Sequence, residues 1–365
     1  MIPVEYYTTV YYTVLSICIV FMVIPILKYA NLQQFSKSIL NFNSIVLLII
    51  VICFIGFRDP WGSWRYFGDT GSYTRIYESL KMGNDFIAIK DSGFYFFMKF
   101  AGKLLSIQFF YILCALLYVI PPFLAFKKWF GKNAFFALAI FVVSMSFWGF
   151  GINGVRNGLA TSLLLYAFSL QGQKVKMIVF MLLAISFHKS VLLPIVAYFI
   201  AYNYTNTKVL IRLWFFMVLF SYFFGDSIEV FVQNFISFTN FADTRRTQNL
   251  FANELEGQLM ERRYRLDFIL YSTFPIFMGY LYTVKKKVSN VFYSQLLNIY
   301  IISNTVWVFL IYAAYTNRVA YLSWFLLPVI LIYPLLKYKL FKKQNKLIAY
   351  LIFGSLLLTV LLYNK

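Results

Sequence analysis

The charged residues of this chain fall into two sets that alternate along it, and the alternation fixes how the chain can sit in a membrane. Hydrophobic runs cover roughly 6–27, 39–57, 107–126, 133–151, 155–170, 177–187, 190–204, 211–224, 267–284, 293–314, 319–336 and 347–363. Most approach the ~20 residues that cross a bilayer core; the run at 177–187 is short. If successive runs cross in opposite directions, the connecting segments of one side carry Lys, Arg212 and no carboxylate. The other side holds every other Arg, all 13 Asp and Glu, and the single histidine, His188. A Lys-rich side without acidic residues is what the positive-inside rule makes of a cytoplasmic face. The even number of runs puts both termini outside. Arg recognises phosphate with a planar fork that Lys lacks, so the Arg-bearing outer face is where work on a phosphorylated substrate is expected.

Composition agrees with an all-α, polytopic membrane protein of about 12 transmembrane helices. Of 365 residues, 61% are hydrophobic and 13% charged, with a mean hydropathy of +0.72. A net charge of +20 invites a nucleic-acid reading, but the excess lies almost wholly in the inner loops. There it orients the chain and touches anionic headgroups; no nucleic-acid partner is expected. Cys18, Cys53 and Cys114 lie in apolar runs without CxxC spacing and read as small core residues. The first run lacks a basic leader and a small-residue cleavage site, so it is expected to be retained. Without repeats or low-complexity segments, 1–365 reads as a single integral membrane domain.

Two outer segments, 58–106 and 225–266, are too long for turns and are expected to carry interfacial helices. In the first, Pro60, Gly62 and Gly68 imply irregular backbone, and Tyr73, Ile76, Tyr77 and Leu80 then recur at helical spacing. A second short helix is expected at 93–105. In the other segment Ile228, Phe231, Val232 and Phe235 share one helical face, and a highly charged stretch follows.

Four runs that pass from outside to inside begin with cations: Asn153-Gly154-Val155-Arg156, His188-Lys189-Ser190, Arg265-Leu266-Asp267 and Asn317-Arg318. A helix N-terminus is partially positive with unpaired N–H groups, so a cation there is disfavoured unless an anion joins it. Asn153 and Asn317 read as N-caps. Converging N-termini with Arg form an anion site; the plainer reading is that each cation snorkels to lipid headgroups. Arg156, Arg318, Arg65 and Arg265 are therefore the diphosphate-binding candidates. Asp69 precedes the Tyr73 helix and reads as its N-cap or as a catalytic carboxylate. His188 is the other catalytic candidate, since a neutral imidazole is a competent base near neutral pH. Arg58, Asp267 and Tyr73 are candidates for positioning a substrate, and Arg58, Asp59 and Arg65 are close enough in sequence to form a cluster at the rim. No P-loop, HExxH, GxSxG or DxD pattern occurs, and no metal-ligand set or cofactor is expected.

The strings FRDPWGSWRYFGDTGSY, VRNGLA, SFHKS, RYRLDF and TNRVAYLSW, in this order, resemble the EpsG/Wzy-type polysaccharide polymerases. The resemblance spans roughly residues 57–324. It implies a GT-C-like glycosyltransferase of the bacterial cytoplasmic membrane with its active site on the extracytoplasmic side. Such an enzyme takes a glycan from undecaprenyl diphosphate and transfers it to the non-reducing end of a lipid-linked repeat unit, without a metal. The implied partners are the undecaprenyl-diphosphate-linked oligosaccharide, membrane lipids, and flippase and chain-length-regulator proteins. Arg156, Arg318, Arg65 and Arg265 would then meet the leaving diphosphate, with Asp69 and His188 as the two candidate bases. A flippase or exporter of lipid-linked oligosaccharide is the non-enzyme alternative, and an O-antigen ligase shares the donor. A flippase needs cations along a cavity within the spans, where this chain has few.

Overall fold

In a computed structural model, the residues described are 2–28, 35–84, 91–225, 227–228, 230–232, 234, 254–255, 258–259, 264–313 and 316–363. They are helical, apart from a two-residue antiparallel ladder pairing Glu254–Leu255 with Gln258–Leu259. The chain splits into two compact units, residues Met1–Leu192 with Leu331–Lys365, and Leu193–Ile330.

The first unit opens with α1 (Val4–Lys28) and α2 (Lys37–Gly56), the latter started by Ser36, whose hydroxyl accepts from the Ser38 N–H. Three short helices follow outside the spans: α3 (Trp64–Phe67), α4 (Thr70–Lys81) and α5 (Ser92–Leu104). The chain returns through α6 (Ile107–Phe130) and α7 (Ala134–Val143), breaks at Ser144, and continues as α8 (Met145–Ile152), α9 (Val155–Phe168) and α10 (Lys174–Phe187). All ten residues of α7 are buried, and it packs against α2 and α6. The Tyr73 periodicity was legible: Tyr73, Tyr77 and Leu80 are the buried face of α4.

The second unit contains α11 (Leu192–Asn203, except Leu192), α12 (Thr207–Phe223), α13 (Leu266–Tyr280), α14 (Val291–Phe309), α15 (Thr316–Trp324) and the first turn of α16 (Leu327–Lys337). Its core is polar at the centre. Asn304 Oδ1 accepts from Trp214 Nε1 at 2.7 Å, and its Nδ2 donates to the hydroxyls of Ser272 and Ser323. The rest of α16 and the last helix, α17 (Gln344–Tyr363), rejoin the first unit, where Thr359 donates to the Val143 carbonyl.

Among the described residues, five stretches are long and apolar enough to cross a membrane: Val4–Lys28, Lys37–Gly56, Ile107–Val143, Thr316–Lys337 and Gln344–Tyr363. The other expected runs form shorter or broken helices, such as the 14 residues of α9 and of α10. Large apolar side chains are turned outward, among them Phe21, Phe42, Phe216 and Phe223, while polar groups meet inside. Apolar side chains on the outside, together with stretches of spanning length, make this a membrane protein. The helix expected around 228–235 and the charged stretch after it lie largely outside the described residues.

Candidate functional site

The first unit gathers candidate side chains where the outer segment 58–106 meets the α8–α9 turn. Gly68 makes the meeting possible. Its φ is +52°, and a Cβ there would lie 2.3 Å from Asn153 Cγ, so a side chain is excluded both by backbone conformation and by space. Asn153 fills the vacancy, and its Oδ1 accepts the Asp69 N–H at 3.0 Å. Asn153 is therefore not the N-cap of α9. Gly154 holds that position and offers no side chain. Nor is Asn317 a cap, since it lies inside α15.

Asp69 stands at the N-cap position of α4, yet its carboxylate makes no capping bond. It lies within electrostatic reach of Arg156. Arg156, in the first turn of α9, donates through Nη1 to Asp91 Oδ2 at 2.8 Å and through Nε to the Tyr73 hydroxyl at 3.2 Å. Neither contact commits Nη2, and the Arg156 side chain is 23% exposed while that of Asp91 is fully buried. Asp91 Oδ1 accepts the Lys189 N–H at 3.3 Å, which ties the start of α5 to the turn carrying His188. Close packing of α5 on α10 allows this, because a Cβ at Gly93 would fall 2.1 Å from Ser186 Oγ. Sequence reasoning passed over Asp91, whose partner in the ion pair is 65 residues away.

His188 ends α10 in extended backbone and caps the turn Lys189–Val191. Its Nδ1 faces the Ser190 N–H at 3.2 Å and the Ser190 hydroxyl at 2.9 Å. A backbone N–H can only donate, so Nδ1 is the acceptor. The neutral ring then carries its proton on Nε2 and presents a donor there.

Arg58 is fully buried. Its Nε donates to Thr70 Oγ1 at 3.0 Å, its Nη1 donates to the Ile55 carbonyl at 2.5 Å, and its guanidinium lies 4.0 Å from the centre of the Tyr111 ring. Thr70 donates its own hydroxyl hydrogen to the Ile152 carbonyl, so Arg58 fixes the end of α2 to the start of α4 and the end of α8. Burial pulls its pKa down from the ordinary value. Nη2 is buried without a hydrogen-bond partner. The expected rim cluster of Arg58, Asp59 and Arg65 does not form. Asp59 instead accepts the Trp61 N–H, and Arg65 is exposed with its guanidinium 5.7 Å from the Tyr66 ring. Arg58 thus meets protein groups, not solvent.

The remaining candidates belong to the second unit. Arg265 and Asp267 form a two-pronged pair with each other, Nε to Oδ1 at 3.0 Å and Nη2 to Oδ2 at 2.7 Å, and both are partly exposed. Arg318 is half-buried in α15. Among the described residues no group of three His, Cys, Asp or Glu side chains is placed to hold a metal ion.

A family model decides the lineage: the EpsG family matches residues 44–365. The chain belongs to the EpsG family. That match takes in every candidate residue above and covers the stretch over which the sequence resembled these polymerases. No curated protein and no solved structure matches the chain. EpsG membership points to a role of the polysaccharide-polymerase type.

Proposed function

We propose that the chain is a membrane glycosyltransferase that polymerises polysaccharide on the outer face of the bacterial cytoplasmic membrane. It would take a glycan from undecaprenyl diphosphate and pass it to the non-reducing end of a lipid-linked repeat unit. The about twelve crossings of a GT-C-like topology are part of this proposal. The observation that carries it is the Asp69–Arg156 arrangement: a carboxylate without a capping role beside a guanidinium with one uncommitted nitrogen. Glycosyl transfer needs both. The acceptor hydroxyl must lose its proton, and the departing diphosphate must be met by positive charge.

In this reading Asp69 is the base and Arg156 meets the diphosphate. His188, whose Nδ1 accepts from Ser190, would orient the acceptor. Within the first unit, Tyr73 would hold Arg156 in place and Arg58 would anchor the start of α4. Positive charge from Arg supplies what a divalent cation supplies elsewhere, so polymerisation by purified protein should survive strong chelation. The test is the surface polysaccharide of a deletion strain complemented with wild type or Asp69→Asn. Single repeat units without long chains, in the deletion and in the variant, are expected. Loss of single repeats as well would indicate a flippase, and accumulation of long lipid-linked polymer would indicate a ligase.

A further inference from the structure

Beside the Asp69–Arg156 cluster the first unit contains a cavity of about 670 Å³. Its wall is made by α1, the segment around α3, α8 and the end of α17. Trp64, Tyr66, Trp148 and Tyr363 supply aromatic surface. Trp148 is held rigid by stacking on Tyr11, with ring centres 4.1 Å apart, whereas Trp64 is 69% exposed at the mouth. Among the described residues, the lining includes one charge, Arg65, and no carboxylate. It ends at Gly68 and Asn153, the pair that holds the Asp69 N–H. Asn153 Oδ1 is thereby occupied, which leaves Nδ2 as the donor of that wall.

Aromatic faces with a few fixed donors are how proteins take up sugar rings, whose C–H faces are apolar and whose edges are polar. A lone Arg in such a wall adds a preference. Its guanidinium favours an anionic ligand, and beside aromatic faces that take up a sugar ring the anion that fits is a carboxylate on that sugar. We propose that this cavity is a glycan subsite for a sugar bearing a carboxylate, uronic-acid-like, held next to Asp69. Trp64 and Trp148 contact the ring, Arg65 pairs with the carboxylate, and Asn153 links the bound sugar to the backbone of Asp69. The inference rests on the polymerase reading for the origin of the glycan, though not for its chemistry.

The cavity contains its own reporters. The full chain in a neutral detergent is titrated with tetragalacturonate, with uncharged cellotetraose and with dihexanoyl phosphatidylglycerol while tryptophan emission is followed. Tetragalacturonate should saturate at about tenfold lower concentration than cellotetraose, the size of one charge-assisted hydrogen bond. Arg65→Gln, at an exposed side chain, should erase that difference without moving the melting temperature, and Trp64→Phe should shrink the signal. Equal response to the acidic and neutral sugars, or a difference that persists in Arg65→Gln, would overturn the subsite. A response to phosphatidylglycerol alone would also overturn it, in favour of a lipid headgroup pocket. If the titration fails while Asp69→Asn still abolishes polymer, the subsite falls and the reaction stands. If it succeeds while Asp69→Asn makes normal polymer, the subsite stands and the reaction falls.

Discussion

Replacing Arg156 by Ala should do two kinds of damage, and a second substitution should separate them. The Asp91 side chain is fully buried and its ion pair with Arg156 is 2.8 Å long. Removing the cation takes this ion pair away from a buried carboxylate, an effect worth about 3–5 kcal/mol. The Lys189 N–H still donates to Asp91, which argues for the lower end, ~3 kcal/mol. Adding Asp91→Asn removes the stranded charge while keeping an oxygen for that N–H, so the double variant should regain roughly 2 kcal/mol of the loss, the cost of one unsatisfied buried group. Activity should not return with it. Loss of one contact made in the transition state costs ~10²–10³ in rate, and neither variant has the guanidinium. Arg156→Lys completes the set: it keeps a charge near Asp91, and with it most of the stability, but gives up the planar fork and hence the polymer. Apparent melting temperatures of purified protein at one scan rate, with polysaccharide chain length in cells at matched membrane levels, provide both readouts. A double variant no more stable than Arg156→Ala would refute the account of Asp91. Wild-type chain length from Arg156→Lys would refute the diphosphate role and leave Arg156 as a membrane anchor.

Gly68→Ala should destabilise by about 2 kcal/mol, from the positive φ together with the collision with Asn153, and shorten the polysaccharide; a variant with unchanged melting and chain length would show that the Asn153–Asp69 contact is dispensable. His188→Gln offers an amide oxygen for the Ser190 N–H and an amide donor on the far side, so it should retain much more polymer than His188→Ala. Equal loss in both would restore His188 as the candidate base. Single cysteines placed within 337–346 should resist an impermeant thiol reagent in intact cells, whereas those within 58–81 should react; labelling in the 340s would overturn the topology.

Much of this architecture could be read from local signals. The apolar face of α4 and the position of Arg156 in the first turn of α9 needed only spacing. What could not be read depends on partners far apart in sequence. Asn153 looks like a helix cap because Asn-Gly-Val-Arg is cap-like, but its amide goes to a slot that Gly68 leaves open and bonds Asp69, 84 positions away. Asp91 has the same difficulty, since nothing in its neighbourhood announces a buried ion pair with Arg156. The Arg265–Asp267 pair is the opposite case. Its two members are two positions apart, and their mutual neutralisation was available from the string RYRLDF.

Arg58 has a consequence of its own. Its guanidinium is sealed beneath Thr70, with hydroxyl, carbonyl and ring partners and no carboxylate among its bonds. Mobile ions damp the fields of charges they can surround, and they cannot surround this one. Its field is therefore built into the protein and largely indifferent to the surrounding medium. Were the proposed carrier to lie within that field, the share of its attraction owed to Arg58 would hold steady as the salt outside rises and falls.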